Sequence, residues 1–217
     1  MIAEAPWRLR GRAYICALEL PDTQRQQQAG TPEALGQPGG RRSLVMYVDY
    51  SHSDVGPYHE LLFIPGSFPF ADGRRHPSIG RIYVSSQDSV DSGRHNWGIP
   101  KQRADFSIER GTRRDSITVT TGGDTIARLS LRHGRLALPA PGVLLPPRYR
   151  TLGQLQDNQH FLYAPASIGL MHRATVESVW GDGDNFPAIQ HGNITGAAYL
   201  SRFYMRFPVA RRLPATA

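Results

Sequence analysis

Glycine and proline punctuate this chain so often that no long regular helix fits between them: it holds 22 Gly and 17 Pro. Proline lacks the N–H that a helix interior needs, and glycine loses the most backbone freedom there, so both gather at turns and element ends. The stretches between them are short, and several carry apolar residues at every second position. Residues 13–20 place Tyr14, Cys16, Leu18 and Leu20 on one face. Residues 43–50, 58–64, 81–86, 104–109 and 171–180 read as further strands. Residues 112–121 and 124–131 flank Gly122-Gly123, the pattern of a two-residue β-hairpin. So many short strands predict a β-barrel or a sandwich. Helical pattern is confined to 87–97, with Ser86 or Asp88 as cap and Gly98 as stop, and to 196–203. Residues 21–42 are rich in Gln, Gly, Pro and Arg, with few large apolar side chains, and read as an exposed, mobile loop.

A chain of 217 residues is long enough for one domain with a core of its own, taken as 1–217. No apolar run approaches the roughly 18–20 residues that cross a bilayer, and none is expected to bind a membrane. The start, Met1 to Pro6, has an early acid and no apolar stretch, which predicts no signal peptide. Cys16 is the sole cysteine, excluding an internal disulfide and any multi-cysteine metal site. A cytoplasmic setting is the default expectation. The net charge of +7 permits an anionic partner. However, the arginines are scattered and no zinc finger, RNP-like motif or basic helix is present, so no nucleic-acid partner is expected.

Several motifs fail on inspection. His59-Glu60-Leu61-Leu62-Phe63 begins like H-E-x-x-H but ends on Phe63, so no metal site is expected there. Ser78 and Ser167 lack the G-x-S-x-G context, and there is no P-loop and no G-x-G-x-x-G. Cys16, on an apolar strand face, reads as core.

One number stands out. Of 25 basic residues, 24 are arginine, and the only lysine is Lys101, after Trp97-Gly98-Ile99-Pro100. Arginine replaces lysine on most solvated surfaces. It cannot do so where a neutral amine must attack a carbonyl, because guanidinium stays protonated. Burial against Trp97 and Ile99 would lower the lysine pKa and free the amine. A surface lysine that escaped the arginine bias is the competing reading. Glu60 sits in an otherwise apolar strand, with His59 and Leu61 on the other face, as either a buried acid/base or a rim carboxylate.

Taken together, three segments resemble the acetoacetate decarboxylase family, in order along the chain. Pro6-Trp7 through Arg12-Ala13-Tyr14 resembles that family's approach to the first strand. Gly56-Pro57-Tyr58-His59-Glu60 resembles its G-x-Y-x-E strand. Gly93-Arg94 with Trp97-Gly98-Ile99-Pro100-Lys101 resembles its G-R-E-x-x-G-[FY]-P-K-K motif. The resemblance implies a mainly β fold, a closed or cone-like antiparallel β-barrel with a few short helices, its pocket inside and its assembly homo-oligomeric. It implies Lys101 as Schiff-base nucleophile and Glu60 as acid/base, with Arg12, Tyr58 and Trp97 binding substrate and no cofactor. The implied substrate is a keto acid, decarboxylated through a lysine imine. Aldol or dehydration chemistry through the same imine is one alternative, and a non-catalytic small-molecule-binding module is the other. The chain departs from the family pattern at Gln102, where the family has a second lysine, and at His95 and Val48, where it has glutamates.

Overall fold

The computed structural model of the chain describes residues 2–215. In chain order the elements are β1 (Trp7–Glu19), α1 (Asp22–Gln27), β2 (Ser43–His52), β3 (Tyr58–Ile64), β4 (Gly66–Pro69), β5 (Arg75–Ser78), β6 (Arg81–Val84), α2 (Gln87–Trp97), β7 (Lys101–Arg103), β8 (Asp105–Arg110), β9 (Arg114–Thr121), β10 (Asp124–His133), β11 (Leu138–Ala140), β12 (Leu152–Gln156), β13 (Gln159–Tyr163), β14 (Ala166–Gly181), β15 (Asn193–Phe207) and β16 (Arg211–Pro214).

Eleven strands form one sheet in the order β7-β6-β3-β2-β1-β15-β14-β10-β9-β8, with β11 added on β14. The pairs are antiparallel except β6 with β7. The two end strands, β7 and β8, are consecutive in the chain and only Ala104 lies between them. This covalent link brings the sheet's edges together and gives a nearly closed barrel. Gly122 and Gly123 both adopt positive φ (59° and 93°), as the expected two-residue hairpin between β9 and β10 requires.

The barrel wall is buried on both sides over part of its circumference. Inward side chains from strands all around it, including Tyr14, Val45, Leu61, Tyr83, Ile117 and Leu129, form the barrel core. The outer face of β1, β2, β3 and β6 is covered by α2 and by a three-stranded sheet, β12-β13-β16. Between them lies a second core with Trp7, Leu9, Val48, Leu62, Ile82, Trp97 and Tyr163. Double burial explains why β3 reads as a nearly continuous apolar run rather than as an alternation.

Helix α2 runs over the expected residues. Ser86 Oγ accepts from the Ser89 amide, and Gly98 closes the C-terminus in the left-handed region at φ 62°. One expectation fails. Residues 196–203 lie inside β15, which pairs along its length with β1 on one side and with β14 on the other. Two ladders of backbone hydrogen bonds outweigh a weak helical pattern that starts at a glycine. Residues 21–42 lie largely on the surface, as expected, and hold α1 and a 3-10 turn at Glu33–Leu35. Leu35 packs on Phe68, Phe70 and Leu162. Arg25 is buried and donates to the carbonyl of Pro38 at 3.0 Å and to Asp22 at 2.9 Å. Composition misses this because one leucine and the apolar stem of one arginine do the anchoring.

Candidate active site

A cavity of about 350 Å³ lies in the second core, between the outer wall of the barrel and its cover. Its position corrects the expectation of a pocket inside the barrel, whose interior is filled by side chains. The lining is apolar, including Leu44, Met46, Val48, Leu62, Ile64 and Ile79. Among the described residues its only charged members are Glu60, Lys101 and Arg150.

Strand parity decides which residues face it. Ala13, Val48, Glu60 and Val84 are direct neighbours across β1, β2, β3 and β6 and share the outward face. The adjacent row, Arg12, Asp49 and His59, faces the barrel interior. Arg12 Nε donates to Asp49 at 2.9 Å there, beside Arg110 and His59. Arg12 therefore does not meet Lys101. The reading that placed it on the substrate carboxylate fails because a one-residue step along β1 reverses the face. The same parity keeps Asp49 from substituting for the carboxylate missing at Val48.

Lys101 opens β7 and crosses under α2. Its stem passes Gly93, where a Cβ would sit 2.7 Å from the lysine Cδ, so only glycine leaves room. Arg94 Nε braces the Lys101 carbonyl at 2.9 Å. The amine is 4% exposed as a residue and makes three polar contacts. Lys101 Nζ donates to Glu60 Oε2 at 2.9 Å, to Ser89 Oγ at 3.0 Å and to the Tyr58 hydroxyl at 3.4 Å. It also lies 5.1 Å from the Tyr58 ring centre. The Tyr50 hydroxyl donates to the other carboxylate oxygen, Glu60 Oε1, at 3.3 Å. Trp97 forms part of the wall: its ring meets Trp7 and Phe207 edge-on at 5.0 and 4.7 Å, and its Nε1 donates to the Pro208 carbonyl at 2.6 Å.

The electrostatics differ from the sequence expectation in one respect. Burial pulls the Lys101 ammonium toward its neutral form. The Glu60 carboxylate and Tyr58 oppose this, and the net shift is upward. The resting lysine is a buried ammonium on a carboxylate. Burial likewise raises Tyr50, with Glu60 adding to it, and raises Tyr58 to about 12 against the pull of Lys101. Burial alone pushes the Cys16 thiol up to about 12, in keeping with its place in the barrel core.

Ser89 and Tyr50 were not singled out in the sequence. Ser89, Gly93 and Trp97 recur at a spacing of four, one face of α2, which is the signal that finds Ser89. Tyr50 is cross-strand from Tyr58 and in phase with Val48 and Met46. Two of the family departures lie away from the chemistry: Gln102 is exposed, and His95 Nε2 is 3.6 Å from Glu4 on the surface.

Residues 38–183 match the family described as acetoacetate decarboxylase (ADC), and the chain belongs to that family. No curated protein matches it by sequence. Among solved structures it is similar to an acetoacetate decarboxylase-like enzyme from Sphingomonas wittichii RW1, with a TM-score of 0.71 at 14% identity over 99% of this chain and 95% of that one. The acetoacetate decarboxylase from Legionella pneumophila gives 0.67 at 13% identity, over 97% and 88%. The enduracididine biosynthesis enzyme MppR complexed with pyruvate gives 0.67 at 13% identity, over 100% and 93%. At these identities the likeness establishes the fold. No helix among the described residues is long and apolar enough to cross a membrane.

Proposed function

We propose that the chain is a cytoplasmic enzyme that binds a keto acid as an imine on Lys101 and decarboxylates it. The observation that carries this reading is a sole lysine, buried in an apolar cavity and held by Glu60 and Ser89. Glu60 accepts a proton from the ammonium, leaving a neutral amine whose lone pair attacks the ketone. The resulting carbinolamine loses its hydroxyl as water, with Glu60 returning the proton. The protonated imine withdraws the electron pair of the carbon–carboxylate bond and carbon dioxide leaves; Glu60, by then deprotonated again, takes one proton from solvent and passes it to the enamine carbon. Hydrolysis frees the ketone and Lys101. Glu60 is the only carboxylate among the described residues lining the cavity, so it serves each of these proton transfers, with Tyr50 on its second oxygen.

A second reading keeps the imine but retains the carboxylate, as in aldol or dehydration chemistry. Val48 favours it, because the cavity has one acid where the family pattern has two. The MppR neighbour has also been solved with a condensation product of pyruvate and imidazole 4-carboxaldehyde. Intact-protein mass after incubation with pyruvate or acetoacetate and borohydride tests both. Wild type gains an adduct, and Lys101→Arg folds but gains none, because guanidinium carries no free lone pair. An arginine variant that is still labelled refutes both readings. Carbon dioxide release separates them.

A further inference from the structure

With Arg12 turned into the barrel, the cavity still contains one cation that has no acidic partner among the described residues. The geometry points to Arg150 as the residue that receives a second, distal carboxylate of the substrate, at the cavity mouth, with Lys101 meeting the carbonyl, and the carboxylate next to it, at the buried end. This inference rests on the imine reading above and names the polarity of the substrate within that site.

Arg150 lines the cavity beside Tyr149 and Thr151, and Tyr149 is 67% exposed, so this end opens to solvent. Lys101 and Glu60, each 5% exposed at the side chain, mark the closed end. Lys101 and Glu60 neutralise one another at 2.9 Å. No carboxylate among the described residues lies within ion-pair reach of Arg150.

A guanidinium has five N–H donors. Nε of Arg150 donates to the Leu145 carbonyl at 3.1 Å, and Nη1 donates to the carbonyls of Ala164 and Pro165. Three donors thus fix the group between two chain segments. The two on Nη2 have no acceptor among the described residues. A guanidinium held rigid by its backbone bonds and left with free donors is pre-organised for an anion, because little side-chain freedom remains to be lost on binding.

Between the two ends the wall is Leu62, Ile64, Ile79, Met46 and Leu152. A ligand that spans them carries an anion at one end, an apolar middle and a carbonyl at the other, and this distal anion is distinct from the carboxylate beside the carbonyl that the imine activates. The cavity of about 350 Å³ amounts to roughly a dozen waters at about 30 Å³ each, room for a longer chain than the smallest keto acids.

Hexanoate and 1-hexanol test this without imine chemistry, since neither has a carbonyl that Lys101 can attack. Their binding to wild type and to Arg150→Gln is measured by titration calorimetry. Loss of a charge-assisted contact predicts hexanoate weakened about ten- to a hundredfold in the variant, with hexanol unchanged. Three results overturn the proposal: hexanoate binding equally to both proteins, hexanoate failing to bind wild type, or both ligands weakening together, which makes Arg150 only a strut for the 145–165 backbone. Borohydride trapping of 2-hexanone, which has no carboxylate, reports Lys101 separately. If wild type traps none while hexanoate depends on Arg150, the imine reading falls and the carboxylate site stands. If hexanone is trapped and hexanoate is indifferent to Arg150, the reverse holds.

Discussion

Replacing Glu60 by Gln preserves shape and removes the charge that holds Lys101 as an ammonium. In wild type the folded-state pKa of Lys101 lies above its unfolded value of about 10.4. Its pairing therefore stabilises the fold fully below that value, and the contribution is lost only as pH rises through the higher folded pKa. In the variant the Glu60 support disappears, only the weaker support of Tyr58 remains and burial dominates, so the folded pKa is expected to drop below the unfolded one and the sign to reverse. Breaking a buried pair by removing one partner costs about 3–5 kcal/mol. An independent bound agrees with this. Leaving the lysine neutral at pH 7 costs about 1.36 kcal/mol per unit over about 3.4 units, or about 4.6 kcal/mol. At pH 9.5 the same bound is about 1.2 kcal/mol.

Glu60→Gln should therefore recover about 3.4 kcal/mol between pH 7 and 9.5, some 7–14 °C in Tm for a domain of this size. Wild type has no such recovery from this lysine. Scanning calorimetry of both proteins across that pH range measures the difference, in which other titrating groups cancel. The double variant Glu60→Gln/Lys101→Met supplies the control: with no lysine to titrate, the pH-dependent difference should vanish. A Glu60→Gln protein whose Tm at pH 7 is within about 2 °C of wild type, with the same pH slope, refutes the buried ion pair.

Gly93→Ala places a methyl group against the Lys101 stem. The helix gains about 1 kcal/mol of intrinsic propensity, so a net loss of stability together with slower imine trapping shows that the clash governs. A gain in Tm with normal trapping contradicts it. The exposed residues Leu144, Leu145, Ile168 and Tyr204, on the 142–145 turn and on β14 and β15, form an apolar strip that we expect a second copy of the chain to cover. Light scattering after size-exclusion should then report an oligomer for wild type and a smaller species for Leu144→Glu/Ile168→Glu. A monomeric wild type removes this surface from consideration.

How much of this was legible in the sequence depended on whether the cause was local. The hairpin at Gly122-Gly123, the Ser86 and Gly98 ends of α2 and the strand over 58–64 follow from one to ten adjacent residues, and they stand where expected. Lys101 and Glu60 were visible for a chemical reason, one amine among guanidiniums and one acid in an apolar run. Arg12 was misplaced because its face depends on strand phase relative to Lys101, which is separated from it by nearly ninety positions and joined to it only through the lateral order of the sheet. Parity within β3 was readable, and it put His59 opposite Glu60 correctly. Which side of the barrel wall held the cavity was not readable, because both sides are buried. Arg150 has no periodic signal at all: it sits in a proline-rich stretch, and its role comes from carbonyls at 145, 164 and 165 that only the fold brings together.

Glu60 also separates two duties that wild type combines. It raises the pKa of Lys101, which opposes formation of the free amine, and on the proposed mechanism it removes the proton that makes the amine free. A glutamine in its place abolishes both effects. The amine is then freed at a lower pH than in wild type, because burial acts without the carboxylate, so attack on a carbonyl depends less on a proton acceptor. Dehydration and carbon protonation still need a proton donor, and no other carboxylate lines the cavity. The Tyr50 and Tyr58 hydroxyls have pKa values raised by burial and are poor acids. Glu60→Gln is therefore expected to bind a keto acid covalently, reaching a borohydride-trappable or carbinolamine adduct seen by intact mass, while turnover falls by the roughly 10²–10⁴-fold that a general acid–base contributes. Measuring adduct and turnover on the same sample makes the split visible. A variant that turns over like wild type shows that Glu60 carries no protons. One that forms no adduct, yet melts with the pH dependence argued above, shows that a neutral Lys101 is not sufficient for attack and that the carboxylate positions the amine.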